Sequence, residues 1–181
     1  MKKIILLSMA LFLCFRGNVF AEETENPSTR QLGLSFSIAT GAGLYYQFIL
    51  SQDYRLKLDG LFFYNEGEDD EMTASANSGF EFQKTIHSTK YTRLYGLAGS
   101  AYWFEKSRSP EYGDPADSDR VTGTDKYFHR WLTAGLGLGI EFLILSHVAI
   151  NIDLLYYYEH HFGETYRSVG FGGGAGIGYA F

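Results

Sequence analysis

The chain has 181 residues, and 15 Lys and Arg against 21 Asp and Glu give it a formal net charge of −6 at pH 7. An acidic chain without a basic stripe is not typical of a nucleic-acid-binding protein. A single cysteine, Cys14, excludes a disulfide framework within the chain and a cysteine-ligated metal site.

The first 21 residues predict a secretory signal peptide. Lys2 and Lys3 give a positive start, residues 4–15 form an apolar run of 12 residues, and Ala21 stands at the cleavage position. The run is shorter than the roughly 20 apolar residues that a membrane-spanning helix needs. We therefore expect export and removal of residues 1–21, which leaves a chain without cysteine.

Eight later segments alternate apolar and polar side chains with the period of two that is typical of β-strands. They are predicted at residues 31–39, 43–50, 55–64, 78–86, 93–106, 130–144, 148–161 and 169–181. Short turns after the second, fourth and sixth strands alternate with longer loops, of which residues 65–77 and 107–129 are the main ones. The first loop, residues 40–42, is an exception because it is as short as the turns.

The sixth and seventh predicted strands give an internal test of register. If residues 145–147 form the turn, Glu141 pairs with Asn151. Thr133 then pairs with Glu159. The polar members share one face and the apolar members share the other, as a strand pair with one buried face requires.

The last predicted strand has two unlike faces. Ile177, Tyr179 and Phe181 lie in an apolar register, whereas the other register consists of glycine and alanine from residue 170 onward. A closing strand that ends on an aromatic residue resembles the last strand of bacterial outer-membrane β-barrels. The resemblance implies that these three residues form part of the signal that the barrel-assembly machinery reads.

Taken together, the export signal, the eight strands and two belts of aromatic residues resemble the small OmpA/OmpX-like class of outer-membrane barrels. The resemblance implies an all-β, single eight-stranded antiparallel up-and-down transmembrane β-barrel at residues 31–181. It follows the signal peptide 1–21 and a short periplasmic segment 22–30, with both termini periplasmic and the longer loops outside. A water-soluble exported barrel is the alternative, but it would expose the charged and glycine faces and bury the Leu, Ile and Phe face.

The interior of an eight-stranded barrel is about wide enough for side chains to fill. The predicted inward polar network, in which Lys57 is the only cation, consists of Lys57, Asp59, Glu81, Glu141, Asn151, Asp153 and Glu159. One interpretation is a polar filling that holds the barrel rigid. The other is a narrow path for cations, which requires that long side chains from opposite strands leave the glycine face of the last strand uncovered.

A possible rim cluster brings together His129, His161 and Ser168, near Glu159. Ser, His and a carboxylate are the components of a hydrolase triad, and some eight-stranded barrels are lipid A deacylases. The His-x-Ser-Asn type of motif associated with those enzymes is missing here, and only two histidine nitrogens are available for a metal. We therefore predict no catalytic residue, no metal site and no cofactor.

The sequence favours a non-enzymatic integral outer-membrane protein whose surface loops, 65–77 and 107–129, contact the envelope, a host surface or a partner protein. Expected partners are outer-membrane lipid, lipopolysaccharide and the barrel-assembly machinery, and no nucleic acid. The acidic run at residues 66–71 is expected to be solvated more often than cation-bound. The alternative function is a small ion or solute channel, and the third is a lipid A-modifying enzyme.

Overall fold

The computed structural model describes residues 30–66, 72–112, 121–144, 147–163 and 165–181. The predicted signal peptide, the segment that follows it up to residue 29, and residues 67–71 of the acidic run lie outside these ranges. Within the described ranges, no helix is long and apolar enough to cross a membrane.

Eight strands follow one another along the chain. They are β1 (Gln31–Ser37), β2 (Gly41–Ile49), β3 (Tyr54–Glu66), β4 (Met72–Ser88), β5 (Thr92–Tyr112), β6 (Val121–Ile144), β7 (Val148–His161) and β8 (Arg167–Ala180). Each pairs antiparallel with the next, and β8 pairs antiparallel with β1, so the sheet closes into a barrel. The predicted eight-stranded up-and-down barrel is confirmed.

The first and the last described residues, Arg30 and Phe181, meet at one end of the barrel. The Phe181 N–H donates to the Arg30 carbonyl at 3.0 Å, and β1 pairs with the end of β8 from Gln31 opposite Ala180. We call this the terminal end and the opposite one the far end. The predicted register of β6 and β7 is confirmed, because Glu141 lies opposite Asn151 in the ladder.

Three predicted strand ends are wrong at the far end of the barrel. β4 begins at Met72 rather than residue 78, β5 continues to Tyr112 rather than residue 106, and β6 begins at Val121 rather than residue 130. The predicted loops 65–77 and 107–129 are therefore largely strand. Polar composition suggested loops, but strand preference depends on pairing context, and a long hairpin ladder overrides it.

Pro110 lies inside β5, although proline is normally excluded from central strands. Its position is consistent with that rule, because the ladder between β4 and β5 stops at Met72 opposite Arg108, and beyond Arg108 no described residue pairs with β5 on that side. The remaining strand ends that differ from prediction are displaced by one or two residues.

The connection between β1 and β2 differs from the prediction, and this difference has the largest effect on the lumen. β1 ends at Ser37 and β2 begins at Gly41, so the turn is residues 38–40 rather than 40–42. Gly41 and Gly43 have φ angles of 111° and 120°, which L side chains rarely adopt. These two glycines allow the chain to bend inward, and the turn lies inside the barrel.

The outer surface of the barrel is apolar and the inner surface is polar. Leu154 and Phe171 on the outside are 71% and 82% exposed, whereas Lys57 and Glu81 on the inside are 1% and 0% exposed. This is the inverse of a water-soluble protein, which buries its apolar side chains. The alternative of a water-soluble barrel is therefore contradicted.

Candidate functional site

Glu141 organises the interior near the terminal end. Its Oε1 accepts hydrogen bonds from Arg93 Nε at 3.1 Å and from Arg55 Nη1 at 3.2 Å. Its Oε2 accepts from Gln31 Nε2 at 2.8 Å. Two cations and an amide from three other strands therefore converge on one carboxylate, which joins β1, β3, β5 and β6 across the lumen.

Glu81 organises a second group nearer the middle. Lys57 Nζ lies 2.9 Å from Glu81 Oε2, and Gln83 Nε2 donates to Glu81 Oε1 at 2.6 Å. Thr40 Oγ1 donates to Glu81 Oε2 at 2.9 Å. A buried ion pair is tolerated when additional hydrogen bonds satisfy its remaining atoms, and Glu81 meets that condition.

Asp153 and Asp59 are two further buried carboxylates in the half of the barrel near the terminal end. Tyr95 donates its hydroxyl proton to Asp153 Oδ1 at 2.7 Å. Both carboxylate oxygens of Asp59 are buried and have no hydrogen-bond partner among the described residues.

The structure places most of the predicted inner residues together. Six of them are buried in this half of the barrel: Lys57, Asp59, Glu81, Glu141, Asn151 and Asp153. Glu159 lies apart, half-buried towards the far end. We call the six, with Arg55 and Arg93, the polar network.

Arg55 and Arg93 are missing from the predicted inner set, so the prediction of Lys57 as the only inner cation is wrong. Arg93 is 3% exposed and lies directly opposite Glu141 in the β5–β6 ladder. Arg93 lies in the same register of β5 as Tyr95 and Leu97, so the sequence could have placed it on the same face as these two residues. Both registers of this strand contain apolar and polar residues, so the pattern did not show which face is inside.

The turn between β1 and β2 forms a plug, which we define as Ile38, Ala39 and Thr40. Ala39 and Thr40 are completely buried. The Ala39 carbonyl accepts a hydrogen bond from Thr133 Oγ1 at 3.1 Å, and next to the plug the Ala42 N–H donates to Asn77 Oδ1 at 3.0 Å. The plug is thus fixed to β4 and β6 on other sides of the lumen.

Three glycines on other strands make room for the plug. A Cβ on Gly79 would overlap the Thr40 carbonyl oxygen, and a Cβ on Gly99 would lie 2.7 Å from Thr40 Cγ2. A Cβ on Gly135 would lie 2.6 Å from Ala39 Cβ. The glycines of β4, β5 and β6 therefore serve close packing of a turn, and their spacing is not that of a phosphate-binding loop.

The lumen is closed at two levels. Ala39 packs with Tyr95, Leu97 and Leu155 in a small apolar core, and Tyr157 packs against that core. Nearer the terminal end lies the polar network, and between it and the turn at residues 88–92 a partly open cavity bordered by Gln31, Arg55, Arg93 and Glu141 has a volume of about 20 Å³. Such a space holds about one water molecule.

Glycines on the inner face of β8 are covered by neighbouring side chains. A Cβ on Gly178 would overlap the Tyr45 hydroxyl, and one on Gly172 would lie 3.2 Å from Tyr157 Cδ1. The covering groups come from the nearby strands β2 and β7, so the expectation of side chains from opposite strands is wrong.

Above the plug, the far end of the lumen is lined by aromatic rings. Trp103 and Trp131 stack with centroids 5.7 Å apart, and His161 stacks on Trp131 at the same distance. Glu159 Oε1 contacts His161 Nε2. We call this region the cup, lined by Trp103, Trp131, Tyr157, Glu159 and His161.

The predicted rim residues are only partly brought together. Ser168 lies opposite Glu159 in the β7–β8 ladder, but no hydrogen bond joins Ser168 to His161 in the described part of the chain. His129 stacks with Tyr127 and lies beyond the end of β7, because His161 pairs with Trp131. Among the described residues, no group of three His, Cys, Asp or Glu side chains could hold a metal ion.

The residues of the predicted assembly signal lie at the terminal end. Ile177 and Tyr179 are exposed on the outer face of β8. The Phe181 ring lies 6.4 Å from the rings of Tyr46 and Tyr179. They form part of an aromatic surface around that end of the barrel.

A closed antiparallel barrel with an apolar outside and a charged, hydrogen-bonded inside is a membrane-spanning β-barrel. Comparisons with protein-family models and with curated protein sequences find no match.

Two solved structures are among those that are similar to this chain. One is Ail, the attachment invasion locus protein of Yersinia pestis, at 17% identity over 84% of this chain and 93% of that chain, with a TM-score of 0.42. The other is the N-terminal β-barrel domain of Pseudomonas aeruginosa OprF, at 14% identity over 84% of this chain and 95% of that chain, with a TM-score of 0.40. At these values the class of the present chain is defined by its own strand pairing and surface.

Proposed function

We propose that the protein is a non-enzymatic outer-membrane barrel that holds a projecting β-hairpin outside the cell for contact with lipopolysaccharide, a host surface or a partner protein. Both termini then lie in the periplasm and the far end faces outward. The observation that carries this proposal is the length of β5 and β6 above a lumen that is closed at two levels.

β5 and β6 are far longer than a membrane crossing requires. They contain 21 and 24 residues, whereas a tilted transmembrane strand needs about 9–11. Their pairing continues to Tyr112 opposite Val121. The β4 ladder stops opposite Arg108 and the β7 ladder stops opposite Trp131, so among the described residues no strand lies beside the outer part of the hairpin on either side.

A hairpin with two exposed edges suits contact with another molecule. Exposed edge strands present unpaired backbone groups that pair readily with an added strand, and specificity then comes from the side chains. The same feature supports residues 107–129 as the contact region, of which 107–112 and 121–129 are strand rather than loop. The contact predicted through residues 65–77 is not supported by this feature, and the test below compares that region with the hairpin.

The test is to shorten this hairpin without changing the barrel. In one variant a two-residue Asn-Gly turn replaces residues 108–126, which joins Ser107 to Tyr127, a pair in the ladder. We expect the variant to fold but to lose binding to lipopolysaccharide-containing vesicles or adhesion of expressing bacteria to cultured animal cells. In the control the same turn replaces residues 67–71.

The outcomes separate the alternatives. Loss of either activity in the shortened hairpin but not in the control supports the proposal. Unchanged binding and adhesion would overturn it. Folding of both variants is checked by the shift in gel mobility between unboiled and boiled samples.

The contact between Glu159 and His161 favours one second candidate, a lipid A-modifying enzyme. The geometry is incomplete, because a serine nucleophile must lie within hydrogen-bonding reach of the histidine. We expect lipid A from cells that express the protein and from cells that express His161→Ala to have the same mass. A modification that depends on His161 would overturn the non-enzymatic proposal.

A further inference from the structure

β1 and β2 stop well short of the far end and leave a gap in the barrel wall. β1 pairs with β8 only as far as Gly174, and β2 pairs with β3 only as far as Gly60. Beyond these points, residues 167–172 of β8 and 61–63 of β3 have no strand beside them among the described residues. The turn that would close the wall is the plug, which lies inside. We call the opening the side gap.

The side gap lies at membrane depth. On one edge Phe62, and on the other Val169 and Phe171, point outward and are exposed apolar residues. They belong to the same apolar surface that covers the rest of the barrel. The six residues of β8 along the gap span roughly 20 Å at about 3.3 Å per residue, or about 14 Å along the barrel axis at a tilt of about 45°, which is close to half of the roughly 30 Å hydrocarbon core.

The inner surface beside the gap is apolar, unlike the polar network below. Leu61 lies opposite Asn77, whose side chain is buried in the lumen, so Leu61 and Phe63 face inward. They are nevertheless 50% and 54% exposed. Tyr157 and Ile38 continue this surface on the β8 side, at 3.2 Å and 3.0 Å from the position of a Cβ on Gly172.

Two physical requirements meet at this opening. A sheet edge at membrane depth is tolerated only where protein covers it or where it lines a water-filled cavity. Exposed Leu61 and Phe63, in contrast, are stabilised by an apolar neighbour rather than by water. A membrane lipid meets both requirements, because its headgroup oxygens and the accompanying water pair with the backbone groups along the two edges while its chain covers the apolar surface inside.

We propose that the side gap admits a hydrocarbon chain of a membrane lipid, from the leaflet at the far end, into the cup. The chain lies against Leu61, Phe63 and Tyr157. The plug forms the floor of the site, so the lipid enters and leaves through the wall and does not cross the barrel. This site goes beyond the proposed contact role and does not depend on it.

The two tryptophans of the chain, Trp103 and Trp131, provide the test, because both face the cup. The protein is reconstituted into vesicles of phosphatidylcholine that carries bromine on its acyl chains, a short-range quencher of tryptophan fluorescence. We expect quenching close to that of a reference variant in which both tryptophans are Phe and outward-facing Leu154 is Trp.

A matched pair of variants shows the route. In Gly170→Phe, the new Cβ lies 3.4 Å from Tyr157, an ordinary contact, and the ring is added to the inner face of β8 beside the side gap, where it takes up the space behind the opening. In Ala175→Phe, the same ring is added to the outer, exposed face of β8. We expect Gly170→Phe to lose most of the quenching by brominated lipid and Ala175→Phe to retain it.

Three results would overturn the proposal. The first is tryptophan fluorescence that water-soluble acrylamide quenches but brominated lipid does not. The cup would then hold water and no lipid chain. The second is quenching that Gly170→Phe leaves unchanged, since bromine then acts through the wall. The third is equal loss in both variants, which would show no dependence on the gap.

Discussion

Glu81 is the residue at which the polar network meets the plug. It pairs with Lys57 and accepts a hydrogen bond from Thr40, and all three side chains are buried. A buried charge that loses its partner costs far more than a surface charge does, because water cannot replace the partner. The stability of the closed interior therefore depends on this carboxylate.

The first prediction concerns Glu81→Gln, which keeps the shape and removes the charge. Because Lys57 then loses the carboxylate that it contacts and keeps only the weaker attraction of Asp153 and Asp59, we expect the free energy of unfolding to fall by about 3 kcal/mol. The measurement is urea unfolding of the barrel in detergent micelles, followed by tryptophan fluorescence.

The control for this prediction is Glu105→Gln, at an exposed carboxylate, which should change stability by less than about 0.5 kcal/mol. The double variant Lys57→Met with Glu81→Gln should lose less than the sum of the two single variants, because the two residues interact directly. Equal losses for Glu81→Gln and Glu105→Gln would contradict the assigned role.

The second prediction concerns Phe181, which the sequence predicts to be part of the assembly signal. Deletion of Phe181 should reduce the amount of folded barrel in the outer membrane of living cells, because recognition of the last strand is lost. Refolding of the same variant in detergent should be nearly unchanged. Phe171→Ala removes an exposed aromatic residue from the same strand and serves as the control. Equal assembly of all three proteins would exclude the signal.

The plug is the element whose position the sequence could not predict. The sequence shows a short connection between the first two strands, but a short turn can lie outside the barrel or within it. The turn points into the barrel because Gly79, Gly99 and Gly135, on three distant strands, leave room for it there. These contacts depend on the register of the whole barrel, so no local pattern reveals them.

The third prediction tests the plug directly. Thr40→Cys in residues 22–181, which contain no other cysteine, should resist a membrane-impermeant thiol reagent because Thr40 is fully buried. Adding Gly135→Leu should make the thiol reactive, since a Cβ there would lie 2.6 Å from Ala39 Cβ and displace the turn. Ser51→Cys, in an exposed turn, gives the rate for an open site.

Rapid labelling of Thr40→Cys alone would show that the turn lies outside. Slow labelling in both backgrounds would show that Gly135 does not make room for it. Gly96→Leu provides a matched background, because a Cβ at Gly96 has its nearest neighbour at 3.9 Å and lies on the outer face.

At the scale of the whole molecule, the alternating pattern predicted which face is inside for most strands, because facing is a local property with period two, but it left the facing of β5 open. It did not predict that Arg93 and Glu141 meet, or that β5 and β6 extend beyond the membrane. Those features depend on pairing between strands that are distant in sequence. The choice between a filled lumen and a channel is likewise a property of all eight strands together.

The last prediction concerns conduction across this lumen. The plug with its apolar core and the polar network close the lumen one after the other, and two barriers in series must both open before ions pass. We expect the wild-type barrel to be silent in a planar bilayer. Gly135→Leu alone, which displaces the plug, and the pair Arg93→Ala with Glu141→Ala, which thins the network, should each be silent too.

The triple variant should conduct, with discrete steps. The control is a triple variant that carries Gly96→Leu in place of Gly135→Leu. It adds the same side chain to the outer face of the barrel and should be silent. Conduction by the wild type would favour the channel function instead. Conduction by the Arg93→Ala and Glu141→Ala pair alone would show that the plug is no barrier, because the network would then be the only closure that ions meet.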